Sequence, residues 1–476
     1  MAVYRHTLSG LLLAILCITG LLSPAVFPQN RDAERRPLNS FNLRYLRLSF
    51  SAPTARPLSM GGAAIALSDD PTAATINPAG LVFYVRPAIS PSTKLSVREF
   101  SEPAVVTGSD DMEVRHTDLF FDEALLSAVV QYKRLHLSTF REVIYDARLS
   151  FQSLQTIEVD PALPVETVIQ RNFPSRKTLL KTRIVDNGLS LAWGFSERLN
   201  FGASLRLTRL EYHLNEEQYY ENEFPGPALQ YRGLNHITAD NLYLLQSIDE
   251  KRWGIGFSAG MISHLSERLM VGLVYNYRPA FDLKSNIFLP RYSVSRGDSL
   301  ITFASREDTT TRVRYDLPDA YGIGIAYKYR GRLNIALDLV RVRYSELLSP
   351  AEKSRSGRDP RNLIQDDLPG GIDPEKQNDL VLEDGWEFHA GVEYILKVGA
   401  RKLRLPLRIG YYYDPGHIAH AREGQAAFQP LFPEEKGYHH ATAGLGFFWG
   451  EKLRLDGAMD LTPKAITLVG TTIYVF

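Results

Sequence analysis

Large apolar side chains recur at every second position in short stretches spread along most of the chain. In residues 253–261, Trp253, Ile255, Phe257, Ala259 and Met261 alternate with Gly254, Gly256, Ser258 and Gly260, the period of two that gives a strand two unlike faces. A sandwich strand in a water-soluble domain would carry charges on the face away from its core. Here the second face is small and nearly uncharged, which suits a lumen that must leave room. Residues 321–329 repeat the arrangement, with Tyr321, Ile323, Ile325, Tyr327 and Tyr329 on one face. That face is apolar in the middle with tyrosines towards the ends, the layout of an aromatic girdle around a lipid band.

The connections between such stretches alternate in length. Tight charged turns fall at 133–134, 196–198, 265–268, 330–332, 397–402 and 450–452, and long polar connections at about 99–123, 160–181, 215–252, 284–316, 346–384 and 414–438. Short periplasmic turns alternating with long extracellular loops mark an outer-membrane barrel, whereas structureless loops of this length count against a soluble domain. The rule gives about fourteen strands, near 81–97, 125–132, 135–145, 183–195, 199–213, 253–264, 269–281, 321–329, 333–344, 385–396, 403–413, 438–449, 453–461 and 466–476. The fold expected is all-β, an antiparallel transmembrane barrel whose even strand count leaves both ends on the periplasmic side.

Composition agrees. The 476 residues are 44% hydrophobic with 24 Tyr and 23 Phe, yet mean hydropathy is −0.17, as expected when only one strand face meets lipid. Lys+Arg and Asp+Glu balance at 54 each, so there is no basic surplus to attract nucleic acid. Residues 1–25 read as a cleavable signal peptide, with an apolar core over 11–22 and Ser23-Pro24-Ala25 as the cleavage site, the core being too short to span a bilayer. Cys17, the sole cysteine, lies inside it, so the mature chain is expected to hold no thiol, disulfide or Cys-based metal site. After the signal no stretch approaches the roughly 18 apolar residues a membrane helix needs.

The last strand ends with Tyr474 and Phe476 on one face, which resembles the C-terminal signal read by the barrel-assembly machinery. Its other face, Val469, Thr471, Ile473 and Val475, is unusually apolar for a porin wall and favours hydrophobic ligands over sugars or ions. Ahead of the barrel, residues 55–81 are rich in small residues and carry Arg56, Gly61-Gly62, Asp69-Asp70 and Asn77-Pro78-Ala79-Gly80-Leu81. From the residues alone this is either a compact plug or a flexible linker.

The same run resembles the N-terminal hatch of the FadL-type long-chain fatty acid transporters, and further similar segments lie at 317–327, 336–339, 391–394 and 407–413. The resemblance covers most of the mature chain. It implies a 14-stranded monomeric barrel, divided into a periplasmic extension over 26–51, a hatch over 52–80 that plugs the lumen, and the barrel over 81–476. It also implies passive transport of fatty acids or other hydrophobic compounds, caught at extracellular loops, held in a lumenal pocket and released sideways into outer-membrane lipid. By position the loop 215–252, with Phe224, Leu229, Leu234 and Leu242, resembles the capture loop, though a self-packed surface loop fits as well. A fatty-acid carboxylate wants a basic partner in the lumen. Arg206 has the parity to face inward, where an ordinary salt bridge is its commoner role.

No phosphate-binding loop and no Ser/His/Asp arrangement in recognisable context is present, so neither a cofactor nor an enzymatic activity is expected. His417 with His420, the adjacent pair His439 and His440, and the loop pairs Asp110-Asp111 and Asp366-Asp367 lack the convergence of a metal site. A second reading comes from relatives of this family that serve type IX protein secretion as shuttle or anchor for exported cargo. The polar stretch 30–51 and the long extracellular loops are compatible with such partners.

Overall fold

A computed structural model of the chain describes residues 36–37, 52–84, 86–104, 112–153, 156–159, 169–173, 175–219, 242–294, 301–347, 380–398, 403–418, 420–421, 434 and 436–476. Strand β1 spans Ala88–Ala104, β2 Met112–Tyr132, β3 Leu135–Ser153, β4 Ser175–Gly194, β5 Leu199–Tyr219 and β6 Leu242–His264. β7 runs over Leu269–Tyr277 and continues past Arg278 and Pro279 as Ala280–Val294. β8 returns as Ile301–Asp316 and, past Leu317, Pro318 and Asp319, as Ala320–Tyr329. β9 (Leu333–Val342), β10 (Gly385–Val398), β11 (Leu403–Asp414), β12 (Tyr438–Trp449), β13 (Leu453–Thr462) and β14 (Ala465–Val475) complete a closed 14-stranded antiparallel barrel. β14 pairs back onto β1 with Ala88 opposite Val475, so the seam where the chain ends meet leaves no open edge.

Alternation decides what each face meets. Ile323, Ile325, Leu337, Ile409 and Leu445 point outward and are exposed, while Gly324, Ala336 and Arg408 on the same strands face the lumen and are buried. So much apolar surface would be a liability in water and is at home in lipid.

Two expectations change. The stretch 81–97 does not begin as strand: Pro78–Phe83 is a 3-10 turn and β1 starts at Ala88. The long connections at 99–123 and 284–316 are largely strand, since β1 and β2 run past them and Ala280–Val294 pairs with Ile301–Asp316 as a hairpin. A ladder that projects beyond the lipid band needs no apolar outer face, so the hydrophobic period fades while the hydrogen bonds continue. Pro279 and Pro318 break β7 and β8 because neither can donate to the ladder. Beyond them the hairpin turns Phe281, Leu283, Tyr315 and Leu317 into the interior, where they are buried with Leu210 and Tyr212.

Residues 52–84 lie inside the barrel. They form two short helices, α1 (Ala55–Ser59) and α2 (Ala73–Ile76), and the turn Pro78–Phe83, nearly all buried. Inward positions of β5 give the order of layers along the lumen. Gly202 and Ser204 touch this segment, Arg206 and Thr208 meet carboxylates, and Leu210, Tyr212 and Leu214 enter an apolar cluster.

Candidate functional site: a filled lumen with a split wall

The small inner face seen in the sequence is where segment 52–84 rests. A Cβ at Gly202 would strike the backbone of Pro78 and Ala79, and one at Gly410 the backbone of Met60 and Gly61. Wall hydroxyls complete the seating by bonding the segment's main chain. Ser190 and Ser204 donate to the Ala74 carbonyl at 3.2 and 3.1 Å, Ser127 donates to that of Pro71 at 2.8 Å, and the N–H groups of Ala55 and Gly61 donate to Thr471 and Thr442 at 2.9 and 3.0 Å. A segment without long helices or strands must find partners for its backbone elsewhere, and here the barrel supplies them. Asp338 does the same, accepting from the N–H groups of Ala64 and Ile65 at 2.6 and 2.8 Å.

The motif residues converge. Arg56 bonds both oxygens of Glu393 on β10, at 3.2 and 3.1 Å, and pairs with Asp69 and, at 3.7 Å, with Asp70. Lys328 of β8 reaches the other oxygen of Asp69 at 2.9 Å, and Arg408 of β11 joins through Glu393 at 2.6 Å. Burial by itself would raise the Asp69 carboxyl, but Arg56 and Lys328 hold it well below the usual carboxylate range. Gly61 and Gly62 take φ of 63° and 79° to turn the chain after α1. The Asn77 amide donates to the Ile65 carbonyl at 2.8 Å and its oxygen accepts from Ala79 N–H at 3.2 Å, which starts the turn at Pro78.

The apolar lumen face of β14 belongs to this seat. Val469 packs with Ala55 and Leu58, and Ile473 with Ala73, Ala74 and Leu81. Its greasiness is therefore explained by packing against the chain's own segment, and the preference for hydrophobic ligands drawn from it loses that support. Tyr474 and Phe476 lie on the outer face in edge-to-face contact, centroids 5.2 Å apart.

Arg206 faces inward and is 1% exposed. Its guanidinium donates to Asp186 at 2.9 Å, to the Thr75 carbonyl at 2.7 Å and to Ser258 at 2.9 Å, with Glu142 at 3.4 Å. Arg278 reaches the same Asp186 oxygen at 2.7 Å. A ligand carboxylate would have to displace these partners. Phe224, Leu229 and Leu234 lie outside the described residues, and Leu242 opens β6 without a described side chain.

The feature that sequence reading missed is a split between β2 and β3. Their pairing runs only from Tyr132–Leu135 to Leu125–Glu142. Beyond it β2 stays paired to β1 and β3 to β4. Each strand carries a one-residue bulge at this point, Ala124 in β2 and Ile144 in β3, and bulges bend strands. A cavity of ≈ 130 Å³ opens here, lined by Ala124, Glu142, Val143 and Ile144 at the split and by Ile65 and Ile76 from the lumenal segment. Cavities of roughly 150 Å³ accept a benzene ring in other proteins. Its wall also carries Lys94 and Arg278 against Glu142, Asp338 and Glu387, so it has no cationic surplus. Ion pairs bridge the split: Arg141 to Glu123 at 2.9 Å and Arg183 to Asp122 at 2.7 Å. An inserted residue reverses the in/out parity, so that Leu119 and Phe121 face out before the β2 bulge but Leu126 and Val130 after it; that break in the alternation is the sequence signal of the bulge.

Comparison with known proteins follows the same lines. The profile of the family described as outer membrane protein transport protein (OMPP1/FadL/TodX) matches residues 162–464. Among solved structures, a Pseudomonas aeruginosa FadL homologue superposes with TM-score 0.56 at 14% identity, covering 90% of this chain and 98% of its own. The P. putida toluene transporter TodX gives 0.53 at 16%, covering 90% and 99%. The Ralstonia pickettii toluene transporter TbuX gives 0.50 at 15%, again covering 90% and 99%. At such identity the likeness speaks for the fold. A search of curated proteins by sequence returned no match.

Proposed function

Since the chain belongs to the OMPP1/FadL/TodX family of outer-membrane transport proteins, we propose that it carries hydrophobic compounds passively from its apolar outer lumen, through the cavity at the β2–β3 split, sideways into the bilayer. Residues 52–84 act as the hatch that blocks the straight path. The family is one of transport channels, not enzymes.

One observation carries this reading. The cavity is lined by the same bulged residues, Ala124 and Ile144, at which the wall stops pairing. An aqueous pore needs neither a filled lower lumen nor a side opening, but a hydrophobic solute loses free energy by staying in apolar surroundings from chamber to lipid. Small neutral molecules or single rings suit the cavity better than carboxylates. Its size is that of one ring, and Arg278, a cation on its wall, is committed to Asp186.

The test uses proteoliposomes loaded from outside with radiolabelled toluene, decane and decanoate. Wild-type protein should speed entry of the neutral compounds, and Ala124→Trp, which fills the split, should abolish most of that gain while the barrel stays folded. Equal rates with and without protein would sink the proposal.

A further inference from the structure

The apolar layer above Arg206 contains two buried phenols. Tyr212 of β5 and Tyr315 of the hairpin are 1% and 0% exposed, and their rings meet edge to face with centroids 5.6 Å apart. Neither hydroxyl has a hydrogen-bond partner among the described residues. Thr182, opposite Tyr212 in the β4–β5 register and itself buried, is orphaned in the same way. Around them are Leu210, Leu214, Ile248, Phe281 and Leu283. A buried donor left unpaired costs stability that phenylalanine would keep in the same volume. Packing alone gives no reason for three hydroxyls in one apolar layer.

We propose that Tyr212, Tyr315 and Thr182 form a ligand-binding site for neutral hydrophobic molecules that carry one uncharged hydrogen-bond acceptor, such as a ketone, ester or ether oxygen. The inference rests on the lumenal route proposed above and narrows its substrate class. Three features support it. The phenol O–H groups are buried donors, and an acceptor on the ligand would satisfy them. The chamber adjoins the cavity, because Ile144, Ala320 and Val340 pack on the apolar cluster and also line the cavity wall. The charges nearest along the strand oppose an anion: Glu216 is the next inward position above Leu214, and the guanidinium of Arg206 below is held by Asp186. An acceptor without charge obtains the hydrogen bonds and avoids the cost of burying an ion.

The apolar cluster is well filled, so a ligand enters by exchanging side-chain contacts for its own. Its oxygen fixes its position while the hydrocarbon part remains interchangeable. This separates the chamber from a simple hydrophobic sink, which would rank ligands by apolar area alone.

The experiment compares three ligands of equal carbon count, decane, 2-decanone and decanoate, binding to purified full-length protein in nanodiscs. Wild type is expected to hold the ketone about tenfold tighter than the alkane, the scale of one net hydrogen bond, and the carboxylate weakest of the three. Tyr212→Phe and Tyr315→Phe should each reduce the ketone preference, and the double variant should erase it while alkane binding is kept. Gel heat-modifiability and melting temperature check folding, and removal of orphaned hydroxyls should leave the melting point unchanged or higher. If ketone and alkane bind wild type equally, or the double variant keeps the preference, this inference is overturned and the transport route stands. If none of the three binds, both fall.

Discussion

The two halves of the lumen, below and above the Arg206 layer, are filled in opposite ways. The half near the tight turns holds residues 52–84, fixed by directional bonds to wall hydroxyls, by the Arg56–Asp69–Lys328–Glu393 network and by glycines that leave no spare volume. The outer half is closed by apolar side chains from β3 to β9 and the inturned hairpin, with a split wall beside it. Hydrogen bonds and ion pairs lose their value over small displacements. Apolar contacts are non-directional, and one set can replace another. On the proposed route a solute would find the lower half shut and the upper half exchangeable.

The sharpest way to break this contrast is Arg56→Met, which removes the cation that Asp69 and Glu393 share and leaves Lys328 and Arg408 to hold them singly. Breaking a buried pair costs ~3–5 kcal/mol, so the hatch should loosen, and planar-bilayer recordings should change from closed to a steady ionic conductance. Gly410→Val attacks the same half by volume, pressing on Met60 and Gly61, with a cost of about 1–3 kcal/mol. It should raise protease nicking within 52–84; unaltered nicking would show slack in the seat. Leu214→Asp attacks the outer half instead. Uptake of a neutral hydrophobe should drop about tenfold with bilayer recordings still closed.

Smaller effects refine the picture. Glu123→Gln removes one ion pair across the split, and because both partners are about a third exposed it is worth at most about 1 kcal/mol. Stopped-flow uptake should rise by about fivefold or less. A pH scan should move the two halves in opposite directions. Asp69 is held low, so its contribution is present above the ordinary value of 3.8 and is lost as pH falls through its folded value, weakening the hatch in strong acid. Glu346, beside the outer chamber, is pushed up to about 7 by burial and then by Asp319. There the folded protein holds a proton that the unfolded chain releases above 4.5, so stability should increase as pH falls from about 7 towards 4.5. Melting curves of Glu346→Gln should be flat over that window where wild type slopes.

How much of this could be read in the residues depends on the range of the interaction. Strand parity is local: Trp253 and Ile255 face out and Gly256, Ser258 and Gly260 face in, as their alternation indicates. The emptiness of the inner face was visible too, but its reason was not. The atoms that occupy the room at Gly260 belong to Asn77, far away in sequence. Val469 and Ile473 misled for the same cause, since an apolar face looks alike whether it awaits a ligand or a hatch. The hairpin 280–316 was hidden because Lys284, Arg306 and Asp308 lie on strands that need no lipid-facing side. Pairing ends depend on register, which one chain's composition does not encode.

The seam between β14 and β1 also sets the order of assembly. The Ala55 N–H bonds Thr471, 416 residues further along the chain, so the segment made before the first strand cannot finish docking until the last strand has been delivered. Contacts of such separation form late. Because β14 is also the strand that closes the ring onto Ala88, the seat of the hatch and the closure of the wall depend on the same last strand. A chain cut short before β14 would lose the wall's last seam and one anchor of the hatch together.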